Sequence, residues 1–429
     1  MVCKLTKFWV KNFKSLKDVE IGLRNFNLLV GKNASGKTNF IEAIKLMKMI
    51  LTKDTREYNP FFEWGGYNNV VWMRNEALPI ILGFEAIVGD HVVTYEICVS
   101  GTWGIFKILS EMISIHGLVN IERKGVEVFV EHDKKFFESA LGEIEKEGIS
   151  LVAPLREIRE KCYKIEKFPH DVSLLRYPGW SAEYICENRY AIVTTWYPKL
   201  DLLSPCIKQN GAVSPIICTI LSSISKLWNS AVILRTINFE KIREPQRPKK
   251  ELTLEENGSN LTNVMLTLFS KKEESVEKIR RILSIILNNE IKIKTDITDD
   301  GRSYIKIFEH NLELQPSMSP EGVWKILAIL VAIESEPSLI AIDELENSLH
   351  PEAIEYIVRE LKECKATVIV TTHSPAVVDI IEPEDLILVE KDREKGSHLR
   401  RVVDAKKIKK LLKKYGITLS EGWLYGEIF

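Results

Sequence analysis

Neither sign of charge prevails in this sequence: 59 Lys and Arg stand against 60 Asp and Glu over 429 residues, a formal net of -1. No global field draws such a chain to nucleic acid or to an anionic membrane, so any binding of that kind must come from a local patch. Cysteine is scarce and unpatterned. Cys3, Cys98, Cys162, Cys186, Cys206, Cys218 and Cys364 are odd in number, with no Cys-x-x-Cys and no His at zinc spacing, which excludes a disulfide scaffold and a structural zinc. That usage fits a reducing cytosol, and the first residues lack the apolar core of a signal peptide, so a cytoplasmic location is expected. Long apolar runs are missing too. The nearest, Ala212 to Leu234, is broken by Pro215, five serines, Lys226 and Asn229, whereas a membrane span needs about 20 mostly apolar residues. It reads as a buried helix, and no membrane partner is expected. No heptad pattern is sustained, which excludes a long coiled coil, and no Asn-Lys-x-Asp occurs to read a guanine base.

What is present is an ordinary globular composition, 45% hydrophobic and 28% charged, long enough for two or three domains at about 150 residues each. Val19, Ile21 and Leu23 alternate, Phe26 to Val30 is a short buried run ending at a glycine, and Phe40, Ile44, Met47 and Leu51 fall on one helix face. Runs at 80–84, 92–99 and 126–130, broken by glycines, predict an antiparallel meander. In the last third, Leu339 to Ile342, Thr367 to Val370 and Leu386 to Val389 predict buried strands. Ile354, Ile357, Val358 and Leu361 predict a helix behind Pro351. Strands alternating with helices at both ends imply an α/β fold whose parallel sheet is assembled from the two termini. The expected division is an N-terminal lobe, 1–110, an insertion, 111–250, and a C-terminal lobe, 251–429.

Three motifs carry chemistry. Gly31-Lys32-Asn33-Ala34-Ser35-Gly36-Lys37-Thr38 is a complete G-x-x-x-x-G-K-[ST] phosphate loop between a buried strand and a helix. Its glycines let backbone N–H groups face phosphate, the helix adds its positive end, Lys37 reaches the β- and γ-phosphates, and the Thr38 hydroxyl ligates Mg²⁺. Leu339-Ile340-Ala341-Ile342-Asp343-Glu344 is a buried strand delivering two acids at its carboxyl end, where open sheets bind ligands. Asp343 is expected to hold the Mg²⁺ and Glu344 to act as general base on the attacking water. Thr371-Thr372-His373-Ser374-Pro375 ends the next strand, 30 residues after Asp343, where His373 can hydrogen-bond the γ-phosphate.

Together with Asn12-Phe13-Lys14-Ser15, the loop wording that runs on through Asn39, and Ile342-Asp343-Glu344-Leu345-Glu346-Asn347-Ser348-Leu349-His350-Pro351, these motifs make the sequence resemble the ABC-type ATPases of the RecF/SMC/Rad50 group. More narrowly it resembles the stand-alone AAA15/AAA21-type ATPases related to the OLD family. Residues 254–261 and 421–427 share in the likeness, which covers 1–50 and about 250–429. The resemblance implies a P-loop NTPase head with a mixed sheet, an N-terminal antiparallel β lobe beside a parallel core, and an α/β insertion. It implies ATP and Mg²⁺ as cofactors, with Lys11 and Lys14 near the nucleotide. It also implies a homodimer in which a signature loop of one subunit closes over the γ-phosphate held by the other.

The matching stretch is Ser317 to Lys325, with Ser319, Glu321 and Gly322 as its contacts; Gly322 lies 21 residues before Asp343. It departs from the family in having Pro320 two before the glycine. Either Ser319 substitutes across a one-residue shift, or backbone N–H groups and the helix end make the contact. The family's Q-loop glutamine has no match, since Gln209, Gln246 and Gln315 are the only glutamines. The 37 residues after Asp392 are too few for a Toprim nuclease domain, so no nuclease site is expected. From Lys391 to Lys414, eleven Lys and Arg against three acids leave a local +8. That segment is either a DNA-binding patch or a solvated helix with Ile408, Leu411 and Leu412 as its apolar stripe. Two functions remain open: an ATPase cycling in DNA maintenance or phage defence, and a slow ATP-gated scaffold controlling a separate effector, a nuclease or a toxin.

Overall fold

A computed structural model of the chain describes residues 3–125, 127–133, 135, 171, 173–175, 181–186, 189–195, 215–310, 312–317, 319–402 and 404–426. Two compact units emerge, Met1–Glu20 with Ala43–Asn229, and Ile21–Glu42 with Ser230–Phe429. Neither expected boundary, 110 or 250, separates them: a strand, Lys107–Ile115, runs through the first.

In chain order, β1 (Cys3–Phe13), β2 (Leu16–Gly22) and β3 (Phe26–Val30) lead to the helix Lys37–Thr52. Then come β4 (Ile80–Val88), β5 (His91–Ser100), β6 (Lys107–Ile115), β7 (Val119–Lys124) and β8 (Glu127–His132), and an antiparallel hairpin of β9 (Ser181–Cys186) and β10 (Arg189–Thr195). After the helix Pro215–Ser230 follow β11 (Val232–Leu234), β12 (Ile291–Ile297), β13 (Ser303–Glu309), β14 (Leu312–Leu314), the helix Glu321–Glu334, β15 (Leu339–Ile342), the helix Pro351–Glu363, β16 (Thr367–Thr372), β17 (Leu386–Asp392), β18 (Gly396–Arg401) and the helix Ala405–Tyr415.

The first unit is built on a seven-stranded sheet, β2-β1-β4-β5-β6-β7-β8, antiparallel from β1 onward, as the glycine-broken runs imply. Alternation sets its buried face: Val93, Tyr95, Ile97 and Val99 point inward from β5. The Phe84 ring stacks on Tyr95 at 5.1 Å and meets Trp228 at 5.2 Å. Trp228 belongs to the apolar segment expected as one helix through Leu234. That expectation needs correction at its end, because the helix stops at Ser230 and Val232–Leu234 becomes a strand. Its β-branched Val232 and Ile233 suit a strand buried on both faces. Beneath the sheet, the fully buried Glu111 carboxylate accepts from Tyr95 Oη (2.7 Å), Ser173 Oγ (2.6 Å) and Leu174 N (2.9 Å), with Arg123 at 3.5 Å. Four partners offset the cost of burying that charge.

The second unit holds a six-stranded sheet, β11-β15-β16-β3-β17-β18, parallel except for β18. The N-terminal β3 inserts between C-terminal strands, as predicted. Every residue of β3, β11, β15 and β16 is buried, the pattern of a parallel sheet covered on both faces. Each fully buried Leu, Ile or Val contributes about 1.5–3 kcal/mol. Among the described residues no helix is long and apolar enough to cross a membrane.

Candidate functional site

The register of the second sheet fixes what stands at its edge. Val30 pairs with Thr372, and Ile342 with Val370. The strands being parallel, the residues that follow them, the 31–38 loop, Asp343-Glu344 and His373, emerge at the same carboxyl end. Gly31 is required there because a Cβ on it would sit 2.1 Å from the Val389 carbonyl oxygen of β17. Further on the loop turns through Ala34 (φ 61°) and Gly36 (φ 115°) into the helix. Ser397 Oγ of β18 donates to the Ser35 carbonyl at 2.6 Å, while Ser35 Oγ is buried without a hydrogen-bond partner. The Lys37 ammonium lies against the loop, donating to the carbonyls of Gly31 (2.8 Å) and Lys32 (3.2 Å). Burial depresses its pKa, opposed by Asp343, Glu344 and Glu346.

Asp343 is the junction. Its Oδ1 accepts from Thr371 Oγ1 at 2.6 Å and from Thr38 Oγ1 at 3.3 Å, joining the loop to two strands. The Thr371 oxygen also accepts from Glu344 N at 2.9 Å, so one threonine orders both acids. On the other side Arg235 Nε stands 3.7 Å from Asp343 Oδ2, too long for a hydrogen bond and hence a coulombic contact. Arg235 Nη1 pairs with Glu42 at 2.9 Å and Glu256 at 3.4 Å. Burial lifts the Asp343 pKa against the opposing pull of Thr371, Thr38 and Arg235.

Glu344 Oε2 accepts from Asn347 Nδ2 at 2.6 Å. Glu346 takes the Thr372 hydroxyl (2.8 Å), the His373 N–H (2.9 Å) and, at 3.3 Å, His373 Nδ1. His373 therefore stands with the acids but turns its Nδ1 to Glu346. The helix Glu321–Glu334 starts directly after Pro320. Gly322 lies under the Ser348 carbonyl, 2.6 Å from where its Cβ would be. Ser319 Oγ is turned inward onto the Gln315 carbonyl at 3.2 Å.

Lys11 and Lys14 belong to the first unit, where Lys11 pairs with Asp18 (3.3 Å) and Lys14 Nζ lies 5.4 Å from the centre of the Trp64 ring. The basic segment 391–414 is not one helix: it takes in the end of β17, β18 and the helix Ala405–Tyr415. Arg401 is consumed inside the fold by the carbonyls of Gly22 and Glu384, and burial pushes its pKa down to about 10. Lys409 pairs with Glu382. Lys406, Lys407, Lys410, Lys413 and Lys414 are exposed.

Arg235, Glu42, Glu256, Thr371, Glu346 and Lys325 join the site without a role expected from sequence. Arg235 did carry a signal, being the first charge after the run Val232-Ile233-Leu234. So did Lys325, a lone cation in an otherwise apolar helix.

Comparison with known proteins places two family matches on the chain. Residues 3–145 match the "AAA ATPase domain" (AAA_15), and residues 239–379 match the "AAA domain, putative AbiEii toxin, Type IV TA system" (AAA_21). The DNA replication and repair protein RecF of Lactococcus lactis subsp. cremoris (strain MG1363) is 33% identical over 64 residues, 15% of this chain and 18% of that one. RecF of Geotalea uraniireducens (strain Rf4) is 28% identical over 78 residues, 18% and 21%. The matches thus span about a fifth of these curated relatives. Among solved structures, the SMC head domain from Thermotoga maritima superposes with a TM-score of 0.42 and 14% identity, covering 94% of this chain and all of that one (100%).

Proposed function

The chain is an ABC-type ATPase of the RecF/SMC-like group, and from that premise we propose that its second unit binds ATP with Mg²⁺ and hydrolyses it. The single observation that carries this is the hydrogen-bond chain Thr38–Asp343–Thr371–Glu344, which joins the phosphate loop to two acids some 305 residues away. The donor set fits the metal: a hydroxyl and a carboxylate are the hard oxygens that Mg²⁺ takes beside phosphate oxygens. The buried, unpartnered Ser35 Oγ fits a loop whose polar atoms answer to a nucleotide.

Thr38 and Asp343 would hold the ion, which when bound supplies charge neutralisation at the β- and γ-oxygens. The residues from Gly31 to Asn39 cradle the phosphates through backbone N–H groups and the helix end, and Lys37 moves its ammonium from the loop carbonyls to the phosphate oxygens. Glu344 accepts a proton from water as the water oxygen bonds to the γ-phosphorus; the bond to the bridging oxygen breaks, giving ADP and phosphate. Its partner Asn347 fixes which carboxylate oxygen is free. His373 turns Nδ1 to Glu346, so its contact with the γ-phosphate falls to Nε2, which donates there when it carries a proton.

The reading includes an ATP-bound homodimer, with Gly322 and the amino end of the helix Glu321–Glu334 of one copy meeting the γ-phosphate of the other. Because Ser319 Oγ is spent on Gln315, backbone N–H groups support that contact better than the hydroxyl does. The roles of Lys11 and Lys14 stay with the resemblance. A setting in DNA maintenance follows the RecF likeness. The type IV toxin–antitoxin description of the 239–379 match favours a second reading, a slow ATP-gated scaffold that controls a separate effector.

Steady-state turnover and nucleotide binding of Glu344→Gln test the core of the proposal. Loss of a general base costs about 10²–10⁴ in rate, so turnover should fall at least a hundredfold while affinity stays within threefold. Unchanged turnover overturns the assignment. Stimulation of the wild type by duplex DNA that fades with salt favours the DNA setting, and slow turnover indifferent to DNA favours the scaffold.

A further inference from the structure

The turn that carries Glu344 is strained at both ends. Glu344 (φ 51°) and Ser348 (φ 61°) adopt the left-handed region without being glycine, a conformation that persists only when surrounding contacts over-determine it. Those contacts come from the helix Glu321–Glu334. Lys325, only 5% exposed, donates from Nζ to the carbonyls of Glu344 (2.9 Å) and Asn347 (2.8 Å). One turn earlier, Gly322 lets the Ser348 carbonyl approach the helix backbone, and Ser348 Oγ donates to Glu321 Oε2 at 3.3 Å. Lys325 is the one charge among the buried residues 323–333 of an apolar helix.

Resting on the reading above, we propose that Lys325 is a positioning residue: it bolts the Glu344 turn to the helix behind the signature loop, so that the set of the general base follows the set of that loop. Burying an ammonium is costly unless it is hydrogen-bonded, and burial with only backbone acceptors depresses its pKa to about 8. A methylene-rich side chain would pack among the neighbouring apolar residues without that cost, so the cation is there for the two carbonyls. In a dimer, the signature loop of each copy would meet the other copy's nucleotide while its Glu344 serves its own. Lys325 would then relay occupancy from one site to the other inside a single chain.

The test is a set of variants read by nucleotide affinity and turnover, with kcat and KM separated. Lys325→Met removes the donors, Lys325→Gln keeps an N–H donor group that is shorter and uncharged, and Lys325→Arg retains the charge and the donors. The expected order is a fall in kcat of about thirtyfold for Met and tenfold for Gln, recovery to within threefold for Arg, and nucleotide Kd within threefold throughout. The Hill coefficient for ATP should fall toward one in the Met variant. In a Glu344→Gln background, Lys325→Met should lower the residual rate by less than threefold, because the group it positions is already disabled. Equal kcat for Gln and Arg, or an undiminished thirtyfold loss in the Glu344→Gln background, overturns the inference. If Lys325→Met does not fold, the Gln and Arg pair decides. If Glu344→Gln alone keeps full turnover, the functional reading fails first, which separates the two failures.

Discussion

Replacing Arg235 by Met should cost about 3 kcal/mol of stability, and the reason lies in what the guanidinium holds apart. Its side chain is 18% exposed and stands among three carboxylates, Glu42 (6% exposed), Asp343 (10%) and Glu256 (30%). Breaking a buried pair by removing one partner costs about 3–5 kcal/mol, since the remaining charge loses its compensation in a poorly solvated place. Partial exposure of the guanidinium puts the figure at the lower end. Asp343 adds a pH signature. Its folded-state pKa is already raised by burial, and losing a cation raises it further. A carboxylate whose pKa is raised on folding binds more protons in the native state, so stability falls as pH rises from the unfolded value through the folded one. The deficit of Arg235→Met should therefore be larger at pH 7 than at pH 5. Urea denaturation of both proteins at the two pH values measures this. Glu256→Gln is the control, expected to lose less than about 1 kcal/mol because the pair is longer and half-open to solvent. In a Glu42→Gln background, Arg235→Met should cost at least about 1 kcal/mol less than it does alone. A loss below about 1 kcal/mol for Arg235→Met, or a deficit that grows in acid, refutes the argument.

Gly31→Ala drives a Cβ to 2.1 Å from the Val389 oxygen and 2.7 Å from Ser35 Oγ, so the loop must shift; titration with a fluorescent ATP analogue should show at least a tenfold loss of affinity, and wild-type binding would contradict the packing of Gly31 on β17. Lys325, with a folded pKa of about 8 against 10.5 unfolded, binds fewer protons in the native state between those values. Its cost is thus fully present below pH 8 and disappears toward pH 10.5, and the stability of the wild type relative to Lys325→Met should rise by about 3 kcal/mol across that window. A flat difference would show that the ammonium is not desolvated. If the helix Ala405–Tyr415 binds duplex DNA, removing Lys406, Lys410 or Lys413 should lower the log-log salt slope by about 0.9 each. Lys409→Gln should leave it unchanged, because that charge already belongs to Glu382.

The edge of the second sheet was legible because its evidence is local. A phosphate loop declares itself in eight consecutive residues, and strands buried on both faces declare themselves as unbroken apolar runs, which is why β3, β15 and β16 and the residues after them could be placed beforehand. Periodicity loses its boundaries where one pattern runs into another. From Ile216 to Leu234 the apolar residues fall densely enough that periodicity alone does not separate the end of the helix at Ser230 from the strand beginning at Val232. With the strand hidden, Arg235 lost its meaning as a residue at a strand's carboxyl end. Charge counting failed differently in the 391–414 segment, since a sum of +8 does not reveal that Arg401 faces inward to Gly22 and Glu384. Much of the expected insertion, 111–250, lies outside the described residues. Lys325 is the case that sequence reasoning is least equipped to find. Its acceptors are two backbone carbonyls about 20 positions away, and a carbonyl is the same in every residue, so only the donor leaves a trace. That trace, one cation in a helix whose neighbours are all apolar, is worth reading as a request for a partner, because a buried ammonium without acceptors would not be tolerated.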